Sequence, residues 1–141
     1  GQDGQPREGP RMTWQPVAVL YPDAELVATG LLREDLAAQG DTDVWVGRKL
    51  PSSRPRRAVQ IVRDGGSSSE MRDRARLRVL VWDSSDEAAT DLARLVLALV
   101  MEWPGRGGVL RVVHESGPVE IPDAAPKRYL LIEVHFRGDA L

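Results

Sequence analysis

Apolar residues gather in two short runs set between polar stretches, Arg57-Ala-Val-Gln-Ile-Val-Arg63 and Ala75-Arg-Leu-Arg-Val-Leu-Val-Trp82. Both runs are short, rich in β-branched residues and bounded by turn formers, so they predict strands. Asp64-Gly-Gly-Ser-Ser-Ser-Glu-Met-Arg-Asp-Arg74 lies between them, too polar and glycine-rich to pack, and is expected to be a mobile loop. After Trp82 a period of about 3.6 sets in. Ser84 with Glu87 fits a capping box, in which the serine oxygen accepts an N3 backbone N–H and the glutamate reaches back to that of the cap. Ala88, Leu92, Leu95, Val96 and Leu99 then share one face of an amphipathic helix, which Trp103-Pro-Gly-Arg-Gly-Gly108 stops.

The same patterning extends in both directions. Tyr21-Pro22-Asp23 opens an earlier helix, with proline at its first position and Asp23 and Glu25 near the positive end of the helix dipole. Leu26, Val27, Leu31, Leu32 and Leu36 form its apolar face, and Gly40 ends it. Asp43 to Gly47 is a short predicted strand, Val109 to His114 another, and Ser116 to Lys127 a turn-rich connection. Tyr129 to Arg137 alternates most cleanly, with Leu130, Ile132, Val134 and Phe136 opposite Leu131, Glu133, His135 and Arg137. The order is helix, three strands, helix, two strands, and most connections are too short for parallel crossovers. The expected fold is α+β, a two-layer sandwich of a mainly antiparallel sheet of about four to five strands with two helices on one face.

Composition narrows the class without naming a function. At 141 residues the chain fits one domain, with 42% hydrophobic residues, a net charge of −2 and no cysteine. The charge is spread over both signs, so nothing global calls for nucleic acid or a membrane. No apolar run approaches the roughly 20 residues that cross a bilayer as a helix. Gly1 to Arg11 contains no aliphatic or aromatic residue and reads as a disordered tail or an expression remnant. The opening glycine favours the remnant, so Met12 is the expected native start of a single domain over 12–141. Thr13 to Leu20 is an extended lead-in.

Candidate chemistry is sparse. His114 and His135 fall on two predicted strands, but a metal site needs three or four ligands and an orienting shell. Glu133 and His135 point the same way, which fits a polar pair better than a catalytic dyad. The Gly65-Gly66-Ser67-Ser68-Ser69 run lacks a following Lys-Ser/Thr and a helix start, and Gly105 to Gly108 precedes a strand, so neither is a nucleotide loop. No catalytic, cofactor-binding or metal-binding residue is assigned, and no enzyme activity is expected.

Two stretches point to contacts instead. Arg48 to Arg57 carries five positive charges, including Arg54, Arg56 and Arg57, and no acid. Phosphate contact, a salt bridge to an acidic neighbouring subunit, and a solvated loop all remain open for it. If Leu77, Val79 and Val81 face the helices, Arg76, Arg78, Leu80 and Trp82 face outward, with Leu131 and His135 beside them. Arginine mixed with aromatic and large apolar groups is enriched at protein interfaces, which favours self-association over catalysis. A Trp82 tucked under a loop beside solvated arginines is the alternative.

Five motifs in order carry a family resemblance. They are Tyr21-Pro-Asp-Ala-Glu-Leu-Val27, Pro55-Arg-Arg-Ala-Val-Gln-Ile-Val-Arg-Asp-Gly-Gly66, Arg72-Asp-Arg-Ala-Arg-Leu-Arg-Val-Leu-Val-Trp-Asp83, the Ala-rich helix from Asp86, and Arg128-Tyr-Leu-Leu-Ile-Glu-Val134. Together, over Met12 to Leu141, they resemble the tail terminator proteins of siphophages that infect actinobacteria; Ser67 to Glu70 matches no fixed family pattern.

The resemblance implies a virion protein of the tail neck, assembled in the host cytoplasm. Its subunits form a ring, usually a hexamer, on the last ring of the tail tube protein. Such a ring stops tube polymerisation and presents a surface to the head-completion or connector protein. DNA passes through its lumen without sequence-specific binding, and no cofactor is implied. The alternatives are another neck component, a head- or tail-completion protein, or, from a different class, a small nucleic-acid-binding module using the basic loop. Within the ring reading, the 64–74 segment is the candidate tube contact and the outward strand face the candidate ring contact.

Overall fold

The computed structural model describes residues 18–141, so the tail, Met12 and most of the lead-in lie outside the described residues. In chain order the elements are β1 (Val19–Leu20), α1 (Ala24–Ala38), β2 (Trp45–Gly47), β3 (Ala58–Ser69), β4 (Arg72–Trp82), α2 (Asp86–Val100), β5 (Val109–Glu120), β6 (Lys127–Arg137) and β7 (Asp139–Ala140). Five strands form one sheet in the order β2-β3-β4-β6-β5, and β1 pairs with β7 in a small antiparallel ribbon. Both helices pack on one sheet face, giving the α+β sandwich.

The core follows from the alternation. Ala75, Leu77, Val79 and Val81 of β4 and Leu130, Ile132, Val134 and Phe136 of β6 are fully buried against Leu32, Leu36, Leu92, Val96 and Val100 of the helices. Trp103 closes the end of this layer and donates its indole N–H to Asp35 of α1 at 3.0 Å.

The helix ends differ from the sequence expectation by about one residue. Asp23 is the N-cap of α1 and accepts from the Leu26 N–H at 3.1 Å, so Pro22 sits just outside the helix. Leu26, expected on the apolar face, is 69% exposed, and Ala24, Ala28 and Thr29 take the buried positions. At the other end Asp41 donates to the Leu36 carbonyl and Gly40, at φ +87°, to that of Ala37. This is a Schellman closure, and the left-handed position explains the glycine. Ser85 rather than Ser84 caps α2, accepting from Ala88 N–H at 3.0 Å, so no capping box with Glu87 forms. Asp83 has captured the Ser84 backbone N–H at 2.6 Å.

The sheet is mainly antiparallel, as expected, with one parallel pair, and one expectation about it is overturned. The β2–β3 pair is parallel, because the 48–57 connection crosses the helix-free face instead of turning back. The segment expected to be a mobile loop is a hairpin: β3 runs to Ser69, Glu70 and Met71 form the turn at φ 53° and 62°, and Ser67, Ser68 and Ser69 pair with Arg74, Asp73 and Arg72. A bulge between Arg63 and Gly66 gives the strand its extra residue. Here the glycines are structural; Gly66 lies at φ +100°, and a Cβ there would collide with the Arg74 carbonyl.

The hairpin is locked by a buried charge. Asp73, 1% exposed on the helix-side face, receives two Arg63 guanidinium bonds of 2.6 and 2.7 Å and the Ser68 hydroxyl at 2.9 Å. Burial works against the Asp73 charge, but these bonds outweigh it and hold the carboxyl below the usual range. The folded-state pKa therefore lies below the unfolded one, near 3.8, so this stabilisation is complete above that value and is lost as pH falls through the folded pKa. Asp73→Asn is expected to cost about 2 kcal/mol at neutral pH, less than a fully buried pair because Arg63 is partly solvated. It should also flatten the acid limb of a urea-midpoint profile; an unchanged midpoint at pH 7 refutes the lock.

Candidate assembly surface

Strand β4 sets the composition of the helix-free face. With its odd-numbered residues buried, Arg72, Arg74, Arg76, Arg78, Leu80 and Trp82 take the opposite side. The β6 register sets His135, Glu133, Leu131, Tyr129 and Lys127 beside Arg74, Arg76, Arg78, Leu80 and Trp82 in turn. Val62 and Gln60 of β3 flank Arg78 and Leu80, and Arg111 of β5 lies beside His135. Among the described residues no helix covers this face.

Its two ends differ. At the Trp82 end the connecting loops close over the sheet. Trp82, expected to face outward for contact, is only 3% exposed. The Arg54 guanidinium lies 5.4 Å and the Lys127 ammonium 4.9 Å from its ring centroid, and its indole N–H donates to Asp123 at 3.2 Å. That donation is the main reason the Asp123 carboxyl titrates below the usual range. Cation–π stacking on a desolvated indole is favourable, and it consumes the aromatic group that an interface would have used.

Two arginines of the basic loop, Arg56 and Arg57, are neutralised in the same region. Arg57 reaches Asp83 at 3.0 Å, Asp41 at 3.1 Å and Asp43 at 2.6 Å. Burial opposes its charge, yet the three carboxylates outweigh that and raise its pKa. Arg56 approaches Asp43 at 3.6 Å and Asp83 at 3.7 Å, and Arg54 donates to the Pro55 carbonyl. The expected acid partners are thus supplied within the chain. A depression of about 450 Å³ beside this cluster is lined by Asp41, Asp43, Arg56, Arg57, Asp83 and Asp91, among others.

At the opposite end the sheet stays open. Arg76 is half exposed and lies 3.5 Å from Glu115. Arg78 is half-buried beside Leu131 and Val62, with a buried Nε that has no partner among the described residues. His135, expected on the surface, is 5% exposed and bridges Glu133 at 2.7 Å and Arg72 at 3.3 Å. His114 hydrogen-bonds the Gly117 carbonyl at 2.7 Å, so the two histidines serve different partners. Among the described residues no group of three or more His, Asp or Glu is arranged to hold a metal. The Gly65, Gly66, Ser67, Ser68 and Ser69 segment forms the exposed arm of the hairpin alongside Arg72 and Arg74 at this end.

The structure therefore brings Arg76, Arg78, Glu133 and His135 onto one surface, sets the hairpin at the same end, and assigns Arg54, Arg56, Arg57 and Trp82 to the closed end. Arg72, Arg74 and Arg111 were missed as members of the open end. Arg72 and Arg74 share the parity of Arg76 and Arg78, so extending the strand through the segment read as a loop would have revealed them. Set against known proteins, the sequence matches no family model and no curated protein.

Trp82→Ala is expected to act as a core truncation, lowering stability by about 3 kcal/mol in a denaturant titration. Arg76→Ala, with its single pair at 3.5 Å in solvent, should change it by less than about 0.5 kcal/mol. Equal effects would refute the division into closed and open ends.

Proposed function

We propose that the chain is a tail terminator of a siphophage, the subunit of a homohexameric ring that caps the tail tube, ends its polymerisation and offers a surface for head attachment. The carrying observation is the helix-free sheet face, where Arg78 sits among Leu80, Leu131, Tyr129 and Val62, none of them covered by a helix among the described residues. Such a surface, large side chains around an arginine, is what protein interfaces use. The order of the motifs from Tyr21 to Val134 supports assigning the ring to a phage tail.

In this reading the sheet face meets the neighbouring subunit, and the hairpin reaches the tube. Tube growth ends because the ring matches the tube on one side and presents no tube-binding surface on the other. Function is then contact geometry, and the partners are the tube protein, the head-completion or connector protein and further copies of this chain.

Native mass spectrometry should give a closed hexamer, or a shift to one on adding tail tubes, which then appear capped by electron microscopy. Leu80→Glu with Leu131→Glu should abolish the hexamer while leaving the circular dichroism spectrum intact. A wild-type chain that stays monomeric both alone and with tubes refutes the proposal.

A further inference from the structure

Building on the ring reading, we infer that the arginine end of the sheet face docks onto the acidic rim beside α2 of a neighbouring copy, so that the ring is held head to tail by charge. The arginine end is under-neutralised. Register places Arg74, His135 and Arg111 side by side on three adjacent strands, with Arg72 bonded to the same histidine. Among the described residues no carboxylate lies within 4.0 Å of Arg72, Arg74, Arg78 or Arg111; Glu115 is taken by Arg76 and Glu133 by His135. Clustered like charges on neighbouring strands destabilise a sheet. That repulsion is relieved by an acidic surface laid over this face.

The same chain carries such a surface elsewhere. Arg72, Arg74, Arg76, Arg78 and Arg111 against Glu115 and Glu133 leave an excess of three positive charges, so the rest of a chain with net charge −2 carries five negative ones. Part of that excess rims the 450 Å³ depression, where Asp91 lies on the wall. Glu87 and Asp91, four residues apart on α2, are exposed and have no cation within 4.0 Å among the described residues. Asp86, 72% exposed at its side chain, meets only the buried Arg128, at 3.5 Å, among the described residues.

Placement decides how the two surfaces can meet. The arginine end belongs to the helix-free layer where β4 begins, and the acidic rim to the helix layer where β4 ends. One molecule cannot bring them together, and two copies related by a two-fold axis are not needed to satisfy either. Each copy gives its arginines to one neighbour and receives arginines from the other, an arrangement that closes into a ring when the rotation permits. A nucleic acid would also answer the arginines, but it would leave the acidic rim without a counterpart.

The test uses two charge-swapped variants, Arg74→Glu with Arg111→Glu and Glu87→Arg with Asp91→Arg, each checked for folding by circular dichroism. In sedimentation at low salt each variant alone should self-associate more than about tenfold more weakly than the wild type. Mixed in equal amounts, the variants should regain the wild-type assembly, because every contact again joins opposite charges, and added sodium chloride should dissolve it. An assembly that survives either swap, or a mixture that stays dissociated, overturns this contact while leaving the ring reading intact. Loss of duplex DNA retention by the first variant with its assembly unchanged would assign the arginines to nucleic acid and likewise overturn it. A wild-type chain that never associates overturns both.

Discussion

The register of β4 is the constraint on which the rest of the structure depends. This strand is hydrogen-bonded on both sides, by β3 and by β6, and its side chains alternate without a break from Arg72 to Trp82. A slip of one residue would carry Arg72, Arg74, Arg76 and Arg78 into the helix-side core and expel Leu77, Val79 and Val81. Four uncompensated buried charges would exceed the whole stability of a domain this size. The strand therefore has one tolerable placement. Fixing it also fixes the partners along β6, the hairpin to β3 and the seat of α2 above the apolar side.

That alternation creates an obligation on the other face, and the chain meets it at one end only. Around Trp82 the 48–57 loop and the turn before β6 supply Arg54, Lys127 and Asp123, and the Arg57 cluster with Asp41, Asp43 and Asp83 ties the loop down. The loop's positive charge is largely spent inside the molecule. Its sequence looked like the electrostatic footprint of a polyanion site because its neutralising aspartates are distant in sequence, on the α1–β2 connection and after β4. Among the described residues the less conspicuous Arg72, Arg74 and Arg78 of β4 have no carboxylate within 4.0 Å.

This locates what was legible in the sequence. Element identity, the two-layer arrangement and the inward face of β4 follow from periodicity, since Leu77, Val79 and Val81 admit one reading once a single face is buried. The hairpin was hidden because glycine and serine carry no strand preference. Its pairing depends instead on Asp73, a residue whose burial makes sense only with Arg63 across the bulge. Trp82 was misplaced for a related reason: alternation states which face a side chain takes, and it does not state whether a loop will later cross that face. The parallel β2–β3 pair arises from the same loop, so one long-range event accounts for both features.

A locked hairpin also changes the physics of any contact made through it. A disordered segment loses conformational freedom when it binds, roughly 1 to 2 kcal/mol per residue fixed in the backbone, which the interface must offset. From Arg63 to Asp73 that loss is already borne in folding, through the Arg63–Asp73 pair, the Ser68 bond and the tie from Gly138 to the Met71 carbonyl. The arm thus meets a partner in a preset shape, and its affinity need not carry the ordering cost. In the proposed ring this matters because the hairpin continues directly from the arginine end of β4. A subunit docking on the arginines would bear on strands joined rigidly to the arm, so that contact between copies and the direction of the hairpins toward the tube would be set by a single ladder.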